Sequence, residues 1–366
     1  IFAIGIQHGF VIEAFVSIVV LVSVVGYLLT SQGVRPVALA AIAGLAFWPI
    51  LFNGFVLPDL WFAALLSVFL LLLEREQYVA AALMLFPLWL TREVAVLVLV
   101  CFLIAYWRRL RPIYHAMALA SGVAGALVVK HLASVGLGNQ ERIGYATYMI
   151  GKVPWNLLKN GFGIMPWINL RTDICAVPAW KMDVHFDRVT AVGICGWDPT
   201  FPLWMFHIAL ASFGLLPVLF VFLLKQKRAW WPASPLLRFC ILYGLLSIAL
   251  APMIGVTLVR YFGYAWPLFV IALPRMTLVT RTLTRGAACW FLPAHFLLAW
   301  TLVPHHTRKF TVPTELTLFA VAGVLYIATW IALSKSSSIL CLDQIDPNRA
   351  GQDWGRQGCA GQGETA

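Results

Sequence analysis

Long apolar runs alternate with short polar interruptions along most of the chain. A helix that crosses a bilayer needs about 20 mostly apolar residues. Runs approaching that length fall near 10–30, 37–53, 59–73, 79–91, 94–107, 116–135, 202–224, 239–258, 262–274, 287–303 and 315–333. The pattern predicts an all-α fold, a polytopic transmembrane bundle of about 11 helices with one outer loop region. Three runs, at 79–91, 94–107 and 262–274, are short for a full crossing, and the first two predict a pair that dips in and returns at Thr91-Arg92-Glu93. The chain thus divides into an N-terminal transmembrane core (1–135), a loop region (136–201), C-terminal transmembrane helices (202–335) and a polar, Gly-rich tail (336–366).

Composition excludes the soluble alternative. Of 366 residues, 61% are hydrophobic and 11% are charged, against about a quarter charged in a soluble domain. Mean hydropathy is +0.85, and a soluble fold of this size has no interior large enough to hide that surplus. The net charge of +11 does not point to nucleic acid, because the basic residues sit in short clusters between apolar runs.

Those clusters orient the chain. One set of short loops holds Arg35, Arg75, Arg108, Arg109, Arg111, Lys225, Lys227, Arg228, Arg238, Arg275, Arg281, Arg285 and Lys335, whereas the opposite set holds only Arg92, Arg260, Arg308 and Lys309. Lys and Arg concentrate in cytoplasmic loops, so residues 136–201 are expected outside and the tail inside. The chain then begins outside, with Ile1 instead of Met, and an upstream helix and outer loop are the favoured explanation over a cleaved signal.

Cys101, Cys240 and Cys289 lie in apolar runs and read as small hydrophobes, while Cys341 and Cys359 fall in the tail. Cys175 and Cys195 share the outer loop; a disulfide between them would close a loop of about 20 residues, worth on the order of 3 kcal/mol. The same loop carries Trp155, Trp167, Trp180 and Trp197, and Val153–Leu170 mixes apolar residues with Asn156, Lys159 and Asn160. That mixture predicts an interfacial helix on the outer leaflet, either an anchoring belt or one wall of a groove for a lipid-borne substrate.

Ionisable residues in or at the edge of spans are costly and suggest function. Glu13, Asp59, Arg92, Glu93 and Arg260 stand out, because the predicted topology puts all of them at or near the outer ends of helices. Taken singly, each also reads as an interfacial or locally neutralised group. Arg at an outer interface suits a phosphate, to which its planar fork donates two hydrogen bonds. A carboxylate held in the stiff turn at Pro58-Asp59 is suited to act as a base on an incoming hydroxyl or amine. No Cys/His spacing resembles a structural zinc site.

Residues 37–111 resemble the core of the C-superfamily (GT-C) membrane glycosyltransferases, which use polyprenyl-phosphate sugars. The matching order is an apolar helix, Asn53-Gly54-Phe55-Val56-Leu57-Pro58-Asp59, a Leu-rich helix ending Glu74-Arg75-Glu76, a small-residue helix ending Leu90-Thr91-Arg92-Glu93, another apolar helix and Arg108-Arg109-Leu110-Arg111. Val259-Arg260-Tyr261-Phe262 through Trp266-Pro267 resembles the late Arg-Tyr segment of that family. Glu93 stands where family members commonly have Pro, and the first outer loop, which in the family usually carries the principal catalytic Asp or Glu, has no counterpart here; the expectation is either that this loop lies upstream of Ile1 or that the chain is a relative without activity.

The resemblance implies transfer of a sugar from a polyprenyl-phosphate donor to an acceptor at the extracytoplasmic face. Asp59, with Glu13 as a second catalytic carboxylate, would serve the acceptor or a divalent metal. Arg92, Arg260 and Tyr261 would hold the donor phosphate, and Glu93 would orient Arg92. Membrane lipids and the lipid-linked sugar are the expected partners, with other membrane subunits if the chain is instead a non-catalytic subunit on the same scaffold. A lipid-linked-substrate transporter is the third expectation, disfavoured because its charges should extend through the bilayer.

Overall fold

The computed structural model describes residues 6–30, 59–136, 153–154, 156–168, 192–225, 234–254, 258–280, 291, 293–295, 298 and 312–342. They are mostly helical. In chain order the helices are α1 (Ile6–Thr30), α2 (Asp59–Glu74), α3 (Tyr78–Thr91), α4 (Ala95–Tyr106), α5 (Pro112–Gly136), α6 (Thr200–Phe213), α7 (Leu216–Lys225), α8 (Pro235–Ile254), α9 (Leu258–Gly263), α10 (Leu273–Thr280) and α11 (Val312–Leu342). A π-helical segment, Pro267–Ala272, joins α9 to α10. Gly9–Thr30, Pro112–Leu132, Pro235–Met253 and Leu316–Ser334 are long and apolar enough to cross a membrane, and further helices are apolar but shorter. The chain is compatible with a multi-pass membrane protein. The expected span at 37–53 and most of that at 287–303 lie outside the described residues.

α2 is the hub. Leu60, Phe62, Ala63, Leu66, Phe69, Leu70 and Leu73 are all buried, on more than one face, so this helix is wrapped by others rather than by lipid. Phe69 meets Phe102 of α4 edge-on at 5.9 Å and Phe239 of α8 at 5.5 Å. At its far end Glu74 takes both terminal nitrogens of Arg275, each at 3.2 Å, and Arg275 also donates to the Leu28 carbonyl at 3.4 Å. Next to it, Arg75 sits 5.1 Å over the Tyr27 ring. Arg275, one of the basic residues counted in the short loops above, is thus half of a bidentate ion pair.

α3 and α5 pack closely through small residues. Pro87 inside α3 has no N–H to offer the Leu83 carbonyl four residues back, and the Ser121 hydroxyl of α5 donates to that carbonyl at 3.1 Å. A Cβ on Gly125 would stand 2.6 Å from Trp89 Cβ and 3.1 Å from the Phe86 carbonyl. Small residues at such a crossing let backbones approach where no hydrophobic force drives helices together in lipid.

Three expectations about continuity are corrected. The single span at 202–224 is two helices, because Gly214 adopts φ +47 and the next helix begins at Leu216-Pro217. Two of the backbone groups at the break find tertiary partners: the Gly214 carbonyl accepts from Tyr326 Oη at 2.7 Å, and the Leu215 N–H donates to His295 Nδ1 at 3.0 Å. The tail expected from 336 starts helical, since α11 continues to Leu342. The helix expected over Val153–Leu170 is present only in its first part: residues 153–154 and 156–162 are helical, with a π turn at Leu157–Gly161, and strand β1 (Ile164–Ile168) follows, pairing antiparallel with β2 (Val192–Trp197). A small β element therefore joins a bundle expected to be all-α.

The cause is local. Gly163 at φ +71 ends the helical turn; a Cβ there would lie 2.5 Å from the Asp198 carbonyl. The pairing register skips Cys195, which bulges opposite the step between Met165 and Pro166, and a residue without an N–H suits a bulge. Cys175 lies outside the described residues, as does the Cys195 side chain, so the expected disulfide does too. Cys101 and Cys240 are buried free thiols, as expected of small hydrophobes.

Gly125→Ala should destabilise the protein by about 1–3 kcal/mol, the usual cost of overpacking, because Trp89 Cβ is fixed to the backbone and cannot swing away. Gly323→Ala, where nothing lies within 4 Å, should be neutral or stabilising through helix propensity alone. Thermal unfolding of the two variants in one detergent checks the opposite signs.

Candidate active site

The turn between α3 and α4 is built by local hydrogen bonds. The Leu88 carbonyl accepts from the Thr91 hydroxyl at 2.7 Å and from the Arg92 N–H at 3.1 Å. Arg92 is extended (φ −155, ψ 141), which ends α3. Ala95 N then bonds the Arg92 carbonyl and Val96 N the Glu93 carbonyl, each at 3.1 Å, opening α4. This reversal holds Arg92 and Glu93 at the same end of the bundle as Asp59, the first residue of α2.

Asp59 is 1% exposed. Arg92 Nε donates to its Oδ1 at 2.8 Å and Arg92 Nη2 to its Oδ2 at 3.1 Å, a bidentate pairing that matches the planar fork to the carboxylate. Tyr264 Oη donates to Oδ1 as well. The Tyr264 ring is itself held edge-on by Phe62 at 5.3 Å and by Tyr261 at 5.7 Å. One helical turn earlier, Tyr261 Oη reaches Glu93 Oε1 at 3.4 Å, near the limit of a hydrogen bond. Glu93 is exposed.

The structure therefore brings Asp59, Arg92, Glu93 and Tyr261 together from three separated segments. Arg260 belongs to the same short helix, α9, though its side chain lies outside the described residues. Two expected roles change. Asp59, not Glu93, orients Arg92, and Asp59 is not an unengaged base, because both its oxygens are occupied. Glu13 does not join the group: among the described residues none hydrogen-bonds or ion-pairs with its carboxylate, and only its backbone carbonyl is engaged, by Ser17 Oγ at 2.7 Å.

Tyr264 was missed. The only signal was its spacing of three from Tyr261, which puts both rings on one helix face, and a tyrosine in an apolar run reads first as core. No group of three or more His, Cys, Asp or Glu side chains among the described residues is placed to hold a metal ion.

No family model matches the chain, and neither a curated protein nor a solved structure does. What this end of the bundle can do rests on its own chemistry.

The π turn from the loop region lies at the C-terminal end of α8, just before α9. Asn156 Nδ2 donates to the Met253 carbonyl at 3.2 Å and Asn160 Nδ2 to the Pro252 carbonyl at 3.1 Å, satisfying carbonyls that a helix end leaves open. The i, i+4 spacing of the two asparagines lets both face one helix end. Between them in sequence, Lys159 places Nζ 4.3 Å over the Phe201 ring and is 5% exposed. Burial pushes its ammonium down to about 8, and the nearby Asp198 carboxylate partly offsets this.

Two outcomes follow from these contacts. Arg92→Ala strands the Asp59 carboxylate in an apolar site and should cost about 3–5 kcal/mol, whereas the double variant Asp59→Asn with Arg92→Ala should recover much of it. Unfolding measurements arranged as a double-mutant cycle read the coupling directly. Separately, below about pH 8 Lys159 is charged both folded and unfolded, and its burial opposes folding. Between about 8 and the ordinary value of 10.5 the unfolded chain holds a proton that the folded chain has lost, so stability rises with pH. That rise should be absent in Lys159→Met when both proteins are unfolded at pH 7, 8.5 and 10.

Proposed function

We propose that this chain is an integral membrane glycosyltransferase that takes a sugar from a polyprenyl-phosphate donor and passes it to an acceptor at the extracytoplasmic face, where the Asp59 end of the bundle lies. The observation that supports the reading is the meeting of Asp59, Arg92, Glu93 and Tyr261 at one end of an apolar bundle. Those residues come from the three segments that resemble the GT-C motifs.

A guanidinium has five N–H donors, and Asp59 takes one from Nε and one from Nη2 of Arg92. The remaining three have no partner among the described residues and could meet a donor phosphate, and the Arg92 side chain is 17% exposed. In this reading Asp59 locks Arg92 so that little side-chain entropy is lost when the phosphate arrives, while Arg260 supplies the second cation. A buried, paired arginine is a better phosphate site than a mobile one for that reason.

A second reading, a non-catalytic subunit on the same scaffold, is favoured by a different observation. The Asp59 carboxylate is 1% exposed with both oxygens engaged, which is also what a purely architectural ion pair requires. Binding of polyprenyl phosphate to the full chain in nanodiscs separates the two. Arg260→Ala should weaken it by about 1.5–3 kcal/mol, the scale of a charged hydrogen bond, roughly ten- to a hundred-fold, with the melting temperature unchanged. Wild-type protein that does not bind the lipid phosphate, or binding indifferent to Arg260→Ala, would assign the chain to the architectural role.

A further inference from the structure

Two tyrosines of one helical turn face two carboxylates and treat them differently. Tyr264 Oη bonds Asp59, whose oxygens also take two N–H groups from Arg92 and which is buried. Tyr261 Oη touches Glu93 at 3.4 Å, and Glu93 is exposed. Glu93 follows Arg92 directly in sequence, yet the Arg92 guanidinium turns to Asp59, so no cation is clamped onto Glu93 among the described residues. Carboxylates whose surroundings differ in this way take different chemical roles. One is committed to holding an arginine; the other has lone pairs open to an arriving group.

Resting on the glycosyltransferase reading above, we propose that Glu93 is the proton acceptor for the incoming hydroxyl, with Tyr261 as its positioning residue. The acceptor oxygen forms a bond to the anomeric carbon of the donor sugar as the bond from that carbon to the phosphate oxygen breaks. The electron pair leaves with polyprenyl phosphate. The hydroxyl proton passes to the Glu93 carboxylate and from there to water, which its exposed position permits. Asp59 takes no part in proton transfer; it holds Arg92 against the departing phosphate. The adjacency of Arg92 and Glu93 then has a purpose, since neighbouring residues in an extended turn place a cation for the leaving group and a base for the attacking group within one short segment.

The experiment uses the full chain in nanodiscs with a panel of polyprenyl-phosphate hexoses radiolabelled in the sugar, membrane extract supplying the acceptor. Glu93→Gln should lower turnover on the order of a hundred-fold or more, the usual worth of a general base, with polyprenyl phosphate binding unchanged. Glu93→Asp should restore part of the rate. Tyr261→Phe should lower turnover less and shift its pH profile. A second readout is independent of turnover: a water-soluble carbodiimide with an amine should label Glu93 and spare Asp59, and polyprenyl phosphate should protect Glu93. Turnover at the wild-type rate in Glu93→Gln, or labelling of Asp59 in preference to Glu93, removes the proposal while leaving the glycosyltransferase reading in place. A wild-type protein that neither binds the lipid phosphate nor turns over any donor removes both.

Discussion

The Asp59–Arg92 ion pair organises this protein. A carboxylate placed at the start of a helix buried on more than one face has no water to solvate it, and the cost of an uncompensated charge there is several kcal/mol. The chain meets the cost by carrying Arg92 back to the same depth in an extended turn, with both nitrogen–oxygen contacts within 3.1 Å. The Tyr264 hydroxyl adds a third donor. Satisfying one carboxylate thereby fixes the register of α2, the α3–α4 turn and α9 against one another.

The opposite end of α2 repeats the device with Glu74 and Arg275. Sixteen helical residues separate the two pairs by about 22 Å at 1.5 Å per residue, so α2 is pinned at both ends across an apolar middle. The partners recur in the same order: Tyr264 pairs with the start of α2 and Arg275 with its end, so the segment from α9 to α10 runs parallel to α2. Apolar packing alone could not choose that arrangement in lipid, where burying a leucine against another helix gains little over burying it against acyl chains. Polar pairs and close small-residue crossings supply the discrimination. The breaks at Pro87 and Gly214 obey the same rule: the Leu83 and Gly214 carbonyls are met by hydroxyls, and the Leu215 N–H by an imidazole, from segments distant in sequence.

The proposed chemistry grows from the same constraint. An arginine already locked by a buried aspartate is pre-organised for an anion, and the carboxylate next to it in sequence is left facing outward. The site is thus an architectural ion pair with an exposed edge, and its two possible uses, scaffold and catalyst, differ only in what that edge meets.

Much of this was legible in the sequence, for local reasons. Apolar runs marked α1 to α5 within a few residues, because the length of a buried helix follows from its own composition. The cost of a charge in a span is likewise a property of the residue, so Asp59, Arg92, Glu93 and the Arg260–Tyr261 segment could be picked out, and they do share one end. Three things required the tertiary structure. Which cation serves Asp59 depends on two turns meeting in space, and sequence adjacency wrongly suggested Glu93 as the partner of Arg92. Tyr264 and the Glu74–Arg275 pair looked like core and loop residues until helices far apart in sequence were brought together. The strand pair formed where a left-handed Gly163 and a bulge opposite Pro166 overrode an apparent amphipathic helix, since a helical turn cannot continue past a residue held at positive φ by the backbone it packs against.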